Sequence, residues 1–365
     1  MFFLETRNDT PAGNLSFEEQ SLRRVALWLF SCCGLVFAMV ILGGVTRLTG
    51  SGLSMVDWQP IKGAIPPLSE ASWLAVFDQY KNFPEFQMVN QDMTLSGFKF
   101  IFLFEYAHRL LGRLIGIAFF LPMAWFWWRG YLSSSLKPKL IVMFVLGGMQ
   151  GLLGWYMVKS GLVNDPHVSQ YRLTAHLVLA ILIYAYMLYV ARDLQDICRR
   201  DPRQNIQSAR FEWLLVIVVL VMIASGGLVA GTRAGFIFNT FPDMNGQWIP
   251  DGLLALSPLW LNAFENMVTI QFDHRLLAYV LIAMVLYNRF RLTAKSDSGR
   301  LVLANSLLLV IALQVCLGIF TLLNQVPVAL GVMHQAGALL VLSVAILQLH
   351  RSRYVLQYDP LDKIA

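Results

Sequence analysis

The sequence predicts an all-α polytopic membrane protein with eight transmembrane helices. Three observations lead to this prediction: hydrophobic residues make up 57% of the 365 residues, charged residues make up only 14%, and long apolar runs recur along the chain. Soluble domains usually carry roughly 25% charged residues, so this composition excludes an ordinary water-soluble enzyme. The net charge of +6 is attributed to loops on the cytoplasmic side of a membrane rather than to a nucleic-acid partner.

The predicted transmembrane helices are apolar runs of roughly 20 residues, the length that crosses a bilayer. The last two arise from one long run, which divides because Asn324, Gln325 and Pro327 interrupt it and proline ends a helix. No small-residue cleavage site follows the first run, so it is interpreted as a retained helix rather than a signal peptide. The eight predicted spans cover residues 25–45, 104–128, 140–158, 173–191, 213–231, 269–290, 301–323 and 328–349.

Lysine and arginine are distributed unequally between the two sides of the predicted membrane. With the N-terminus placed in the cytoplasm, 18 of them fall in cytoplasmic segments and 7 in the opposite segments. Because positive residues accumulate on the cytoplasmic side, both termini are predicted inside and the long loops 46–103 and 232–268 outside. The predicted order is a cytoplasmic tail, an N-terminal four-helix bundle, a cytoplasmic linker, a C-terminal four-helix bundle and a second tail, with limits at 1–24, 25–192, 193–210, 211–350 and 351–365.

Both long loops contain aromatic and apolar residues at helical spacing. The spacing i, i+4, i+7 occurs twice, first in Trp73, Phe77 and Tyr80 and then in Trp260, Phe264 and Met267. Each set predicts a short amphipathic helix lying on the membrane surface. The alternative is a loop packed by its own aromatic side chains.

The two halves of the chain resemble each other. A His-Arg-Leu-Leu run occurs twice, and so do a Gly-Gly pair, a glutamine with a glycine four residues later, and a further histidine. The matched positions are 108–111 with 274–277, Gly43-Gly44 with Gly226-Gly227, Gln150 and Gly154 with Gln314 and Gly318, and His176 with His334. One repeat holds four spans, an even number, so both copies enter the membrane from the same side. This parallel repeat predicts two bundles related by an axis along the membrane normal.

Four histidines occupy matched positions near the outer ends of the even-numbered spans: His108, His176, His274 and His334. Ionisable side chains inside spans are costly and usually functional, and two imidazoles from neighbouring helices can ligate one haem iron. Each half is therefore predicted to hold one haem, and the alternative is hydrogen bonding between helices. The four cysteines show no metal-ligand spacing. The two histidines without repeat mates, His167 and His350, are predicted at the surface.

Glycines and arginines beside these histidines also suit a porphyrin. Arg109 and Arg275 each follow a histidine and are predicted to bind haem propionates rather than to extend outward to the membrane surface. A bare helix face suits either a flat macrocycle or close packing against another helix. That face is formed by Gly147, Gly148, Gly151 and Gly154.

The halves differ in one acidic residue. Glu105 precedes His108 by three residues and lies on the same helix face, whereas Gln271 stands at the matching position before His274. An electron carrier has no evident need of this asymmetry, but an enzyme with one reactive and one structural haem site does. The alternative is that Glu105 only forms an ion pair with Arg109 at i, i+4.

These features together resemble those of the haem A synthase family, bacterial and mitochondrial proteins that convert haem O into haem A. The resemblance covers residues 25–350. The first outer loop contains no cysteine pair, so the chain is similar to the cysteine-free branch, in which a loop disulfide has no role. The motifs are Glu105-Tyr106-Ala107-His108-Arg109, Gly50-Ser51-Gly52-Leu53-Ser54 leading to Trp58 and Pro60, Tyr171-Arg172-Leu173-Thr174-Ala175-His176, Phe238-Asn239-Thr240-Phe241-Pro242, and the regions of His274 and His334.

The resemblance implies a division of labour between the bundles. Haem O would bind in the N-terminal bundle at His108 and His176, where a ring methyl is oxidised through an alcohol to a formyl group. Glu105 would act there as proton acceptor or charge stabiliser. His274 and His334 would hold one resident haem b, which relays electrons.

The resemblance also implies partners and a location. The expected partners are haem O and haem A, haem O synthase, the cytochrome oxidase assembly machinery, an unidentified electron donor or acceptor, and membrane lipid. The expected location is the bacterial cytoplasmic (inner) membrane, with the haem sites toward the outer side. Two other functions fit the four histidines: a bis-histidine di-haem electron carrier, and a haem or lipid transporter.

Overall fold

Eight long helices dominate the computed structural model, which describes residues 17–56, 62–161, 168–198, 203–206, 209–292 and 298–356. Each is long and apolar enough to cross a membrane, which confirms the predicted fold class. The eight are α1 (Phe17–Leu48), α4 (Leu95–Trp128), α5 (Leu136–Gly161), α6 (Gln170–Cys198), α7 (Arg210–Thr232), α9 (Met267–Phe290), α10 (Ser298–Leu323) and α11 (Val328–Ser352). Three short α-helices lie in the described parts of the long loops: α2 (Glu70–Tyr80), α3 (Pro84–Met88) and α8 (Asn262–Glu265).

The helices extend beyond the apolar runs that predicted them. α1 begins at Phe17, inside the segment 1–24 predicted as a tail, and α6 ends at Cys198, inside the predicted linker 193–210. α4 begins nine residues before the predicted span at 104, so part of loop 46–103 is helical. Hydrophobicity locates the part of a helix that lies in hydrocarbon, whereas backbone hydrogen bonding continues into the polar turns beyond it.

The helix contacts fit two groups of four. α1, α4, α5 and α6 contact one another as neighbours, and α7, α9, α10 and α11 repeat the arrangement. The groups meet where α1 and α6 pack against α7 and α11. The apolar side chains that are almost completely buried on these four inner helices include Leu29, Ile181, Leu215 and Leu342. This arrangement agrees with the predicted pair of pseudo-symmetric four-helix bundles.

The two long loops lie at one end of the bundles, called the loop end below. In the first loop, α2 confirms the predicted helix around Trp73, Phe77 and Tyr80, and Ser69 caps its N-terminus. Its apolar face does not lie free on a membrane surface, because Phe77 stacks on Phe98 of α4 with ring centroids 5.0 Å apart. The aromatic residues near the start of α4 provide this complementary surface, which the spacing of α2 alone could not indicate.

The second predicted loop helix is wrong. α8 ends at Glu265, and Asn266 has an extended backbone that separates it from α9. The side chain of Asn266 accepts hydrogen bonds from the backbone N–H groups of Val268 and Thr269, which caps the N-terminus of α9. Met267 therefore belongs to the transmembrane helix, and its spacing from Trp260 does not define a helix face.

The opposite end of the molecule joins the linker to the C-terminal segment. Strand β1 (Arg203–Ile206) pairs antiparallel with β2 (Tyr354–Leu356). His350, predicted at the surface, is fully buried, and its Nε2 lies 2.7 Å from Oδ1 of Asp193. The prediction failed because α6 and α11 pack together at this point, which the sequence around His350 does not indicate. His167 lies outside the described residues.

Candidate functional site

The four matched histidines form two pairs, one in each bundle. α4 and α6 carry His108 and His176, and α9 and α11 carry His274 and His334. The two imidazoles of each pair are close enough for a direct electrostatic interaction. The structure thus brings together the two histidines of each half, as predicted for one haem site in each bundle.

A glycine lies directly against one imidazole of each pair. A Cβ added at Gly154 would lie 2.9 Å from Cε1 of His176, and a Cβ at Gly318 would lie 2.8 Å from Cε1 of His334. Carbon atoms in contact are normally about 3.5–4.0 Å apart, so no other residue fits at these positions without moving the ring. The repeated glycines are therefore required by the close approach of helix backbone and imidazole.

The same imidazoles are held by matched glutamines. Gln150 Nε2 lies 3.2 Å from Nε2 of His176 and donates to its backbone oxygen at 3.0 Å. Gln314 Nε2 lies 3.5 Å from Nε2 of His334 and donates to its backbone oxygen at 2.8 Å. Both glutamines belong to the repeat, but their positions in the chain do not indicate that they contact the histidines.

Each half also contains buried polar atoms without a protein partner. In the described part of the chain, four atoms at matched positions are buried and make no hydrogen bond. They are Nδ1 of His176 and of His334, and Oε1 of Gln150 and of Gln314. Buried polar groups are normally paired, so orphans at matched positions call for a group that is not protein. A pair of imidazoles on facing helices, with glycine against one ring, fits the donor set and the shape of a bis-histidine haem site.

The halves differ in the support of the other histidine. Ser225 Oγ lies 3.1 Å from Nδ1 of His274, which leaves Nε2 of that ring for a ligand. At the matching distance before the Gly-Gly pair, the N-terminal half has Leu42, whose side chain cannot hydrogen-bond an imidazole. Hydrogen bonds to the second ring nitrogen orient metal-ligating histidines. In the C-terminal pair, one imidazole thus has a serine hydroxyl at Nδ1, whereas the matching residue beside His108 is a leucine.

Glu105 is buried and hydrogen-bonded to the first loop. Its Oε2 accepts from Ser54 Oγ at 2.7 Å and from the backbone N–H of Met55 at 2.8 Å. Its Oε1 accepts from Arg109 Nη2 at 2.5 Å, and Arg109 also donates to the backbone oxygen of Met55 at 2.8 Å. The alternative interpretation of Glu105, an ion pair with Arg109, is therefore present in the structure.

The C-terminal half makes the corresponding contact with different chemistry. Gln271 Nε2 donates to the backbone oxygen of Phe238 at 3.0 Å. Arg275 donates to the same oxygen at 3.1 Å and to the backbone oxygen of Asp243 at 2.8 Å. Both halves thus clamp the loop end with an i, i+4 pair, but only the N-terminal clamp contains a carboxylate.

The two arginines predicted to bind propionates differ in their hydrogen bonds. Arg109 is engaged with Glu105 and Met55. Arg275 Nε is buried and, among the described residues, has no hydrogen-bond partner. Arg275 therefore retains a buried donor that a carboxylate ligand could use.

The glycine face of α5 does not serve close helix packing over most of its length. A Cβ added at Gly147, Gly148 or Gly151 would meet no atom within 4 Å, and only Gly154 lies against another residue, His176. Packing through small residues is therefore the wrong interpretation for the first three, and a bare face for a macrocycle stays a prediction.

Comparison with known proteins connects this geometry to a family. Residues 26–346 match the model of the COX15-CtaA family, described as cytochrome oxidase assembly protein. The chain is 50% identical to the haem A synthase of Nitrosospira multiformis, over 97% of this chain and 99% of that protein. It is 46% identical to the haem A synthase of Nitrosomonas eutropha and 45% identical to that of Beijerinckia indica, in each case over 93% of this chain and 96% of the relative.

Proposed function

Because this chain belongs to the COX15-CtaA family of cytochrome oxidase assembly proteins, we propose that its two buried histidine pairs divide one haem-modifying reaction between them. The activity of the family converts haem O into haem A, so the chain is an oxidoreductase of haem biosynthesis with haem O as substrate. It is an integral membrane protein. The observation that carries the assignment of sites is the duplicated histidine pair with unequal surroundings.

The C-terminal pair, His274 and His334, is proposed to hold one resident haem b. Ser225 fixes one imidazole through Nδ1, Gln314 holds the backbone of the other histidine, and Arg275 retains a buried Nε–H for a propionate. Rigid ligands favour a permanently bound group, because little ordering is lost on binding. A haem held by two histidines supplies one-electron transfer at its iron.

The N-terminal pair, His108 and His176, is proposed to bind haem O as substrate. Gly43 and Gly154 lie against the two rings and keep the space beside them narrow. His108 lacks the serine that supports its counterpart, which suits a ligand that must leave after each turnover. The bare glycine face of α5 lies on the helix that carries Gln150 and Gly154, and we assign it to the substrate ring or its isoprenoid tail.

Glu105 is proposed to act on the substrate site in two ways. It holds Met55 and Ser54 of the loop against α4, which excludes water from the histidine pair one turn further along the helix. Its carboxylate also places negative charge at the loop end of that site, where it stabilises positive charge that develops as the methyl is oxidised or accepts a proton at Oε1 or Oε2. Gln271 can perform the loop contact but neither charge role.

The membrane setting follows from the positive residues in the sequence. We propose a bacterial inner membrane location, with both termini in the cytoplasm and the loop end outside. The haem sites then lie toward the outer side, near the loop end. Haem O synthase and the cytochrome oxidase assembly machinery are the proposed partners, together with an electron donor or acceptor.

Analysis of bound haem in histidine variants tests the assignment. His274→Ala or His334→Ala should remove the low-spin haem b spectrum from the purified protein, while His108→Ala should keep haem b and lose conversion of added haem O. The His108 variant is the matched control, because it removes the same ring from the equivalent helix. Retention of haem b in both C-terminal variants would show that the resident haem is elsewhere.

A further inference from the structure

A second buried carboxylate, Glu85, lies at the loop end above the N-terminal site. Glu85 belongs to α3 and is only 8% exposed. Its Oε2 accepts a hydrogen bond from the hydroxyl of Tyr80 at 3.0 Å, and Asn90 donates to that hydroxyl at 2.8 Å. Neither the family motifs nor the histidine pairs account for this buried acid.

Glu85 is linked to Glu105 by the packing of one helix face. Phe98, Ile101, Phe102 and Glu105 follow at helical spacing on α4, and all four are buried. Tyr80 packs on Phe98 with ring centroids 5.1 Å apart, which sets Glu85 against the start of this face. Seven residues separate Phe98 from Glu105, or about 10 Å along the helix. Glu85 thus lies nearer the loop end than Glu105 does.

The surroundings of the two acids favour different roles. Burial raises the pKa of Glu85 to about 7; the hydrogen bond from Tyr80 opposes this rise, and the negative charge of Glu105 adds to it. Tyr80 from α2 and Glu105 from α4 are the titratable groups that act on Glu85. Glu105 instead receives donors from Ser54, Met55 and Arg109. Two acids in such different surroundings are typical of proton-transfer sites.

The C-terminal half has no such arrangement. Gln271 replaces Glu105, and the acids of the corresponding loop that the structure describes, Asp243, Asp251 and Glu265, are not buried. Among the described residues of the loop end, the buried acids Glu85 and Glu105 both belong to the half proposed to carry out the oxidation, and the buried Glu212 of the other half lies at the opposite end of the molecule. Oxidation of the methyl group breaks carbon–hydrogen bonds, and the protons released need a route to the solution.

We propose that Glu85 is the proton-exchanging group of the N-terminal site, which takes protons from the Glu105 side and passes them to the solution at the loop end. The proposal rests on the proposed function, since only a reaction at His108 and His176 needs this route. Glu85 does not touch the substrate and acts only through Glu105, so it is a positioning residue and not a catalytic one. The deprotonated form of Glu85 is the active one, because it must accept a proton.

The test measures the rate of haem O conversion against pH with the full-length protein carrying its resident haem, in lipid nanodiscs. The parental rate should rise with pH through an inflection near the pKa of Glu85. Glu85→Gln should lower the rate about tenfold or more and remove the inflection. Glu70→Gln, a matched change at an exposed position of the same segment, should leave rate and inflection unchanged.

A second variant separates proton transfer from loop packing. Tyr80→Phe keeps the stacked ring but removes the hydrogen bond that favours ionised Glu85, so the inflection should move to higher pH. Infrared difference spectra between low and high pH should show a protonated carboxyl band that Glu85→Gln lacks, a readout independent of turnover. Resident haem content confirms that each variant is folded.

The outcomes distinguish this proposal from the proposed function. If Glu85→Gln still formed haem A with the rate and pH profile of the unmodified protein, the proton route would be overturned and the haem assignment would stand. An unshifted inflection in Tyr80→Phe would also overturn it. If the parental protein formed no haem A from haem O, the proposed function itself would fail.

Discussion

Substitution of Gly318 by alanine tests the haem b site through a single methyl group. The added Cβ would lie 2.8 Å from Cε1 of His334. Since carbon contacts relax at about 3.5 Å, the imidazole must retreat by about 0.7 Å. Functional sites tolerate displacements of about 0.5 Å, so ligation by His334 should be impaired.

The expected magnitude follows from two opposing effects. Alanine is favoured over glycine inside a helix by about 1 kcal/mol, so the helix itself should not be destabilised. Overpacking against the histidine destabilises the arrangement in which the imidazole keeps its native position by about 1–3 kcal/mol. Each 1.4 kcal/mol is tenfold in affinity, so haem b binding should weaken by about tenfold or more while the protein still folds.

The assay is the ratio of haem b to purified protein, measured as the pyridine haemochrome after washing. Gly147→Ala is the control, because it makes the same change in α5 where no atom lies within 4 Å of the new Cβ. Gly154→Ala makes the equivalent clash with His176, so it should keep haem b and lose conversion of haem O. Parental haem b content in Gly318→Ala would refute the argument that His334 is an iron ligand in the described position.

Two further predictions concern the acid of the N-terminal clamp and the orientation of the chain. Glu105→Gln places an amide N–H where a carboxylate oxygen now accepts a hydrogen bond, so haem O or its alcohol should accumulate. The rate of haem A formation should fall by about 10²–10⁴-fold, while haem b is retained. Formation of haem A at the rate of the unmodified protein would show that Glu105 serves only as the partner of Arg109 and the loop. A reporter active only outside the membrane should be active when fused after Ser69 or Asp251 and silent after Ser135, and the reverse pattern would place the loop end in the cytoplasm.

The transmembrane architecture was accessible from the sequence because bilayer thickness imposes a length on every span. Apolar runs and one proline interruption were enough to predict eight helices, and all eight are present. The ends of the helices were not accessible, because polar turns such as those at the start of α1 and α4 remain helical outside the apolar run. Loop helices were harder still, as Asn266 shows: its capping side chain interrupts the pattern that joined Trp260 to Met267.

The histidine pairs could be predicted because the repeat places two histidines at matching positions in each half. His108 with His176, and His274 with His334, follow from counting along two similar halves, since duplicated helices place duplicated residues at equal depth. His350 had no mate and was wrongly predicted at the surface, because its burial depends on Asp193 of another helix, 157 residues away in the chain.

The sequence by itself determined which residue types the candidate sites contain, and the tertiary structure decided what each one contacts. Glu105 and Gln271 were recognised as different from the internal repeat alone, but only the folded chain places Met55 against one and Phe238 against the other. The support of His274 by Ser225 likewise depends on a segment that folds back from a distant position. The physical reason is that hydrophobicity and helical periodicity act along the chain, whereas hydrogen bonding and desolvation depend on neighbours in space.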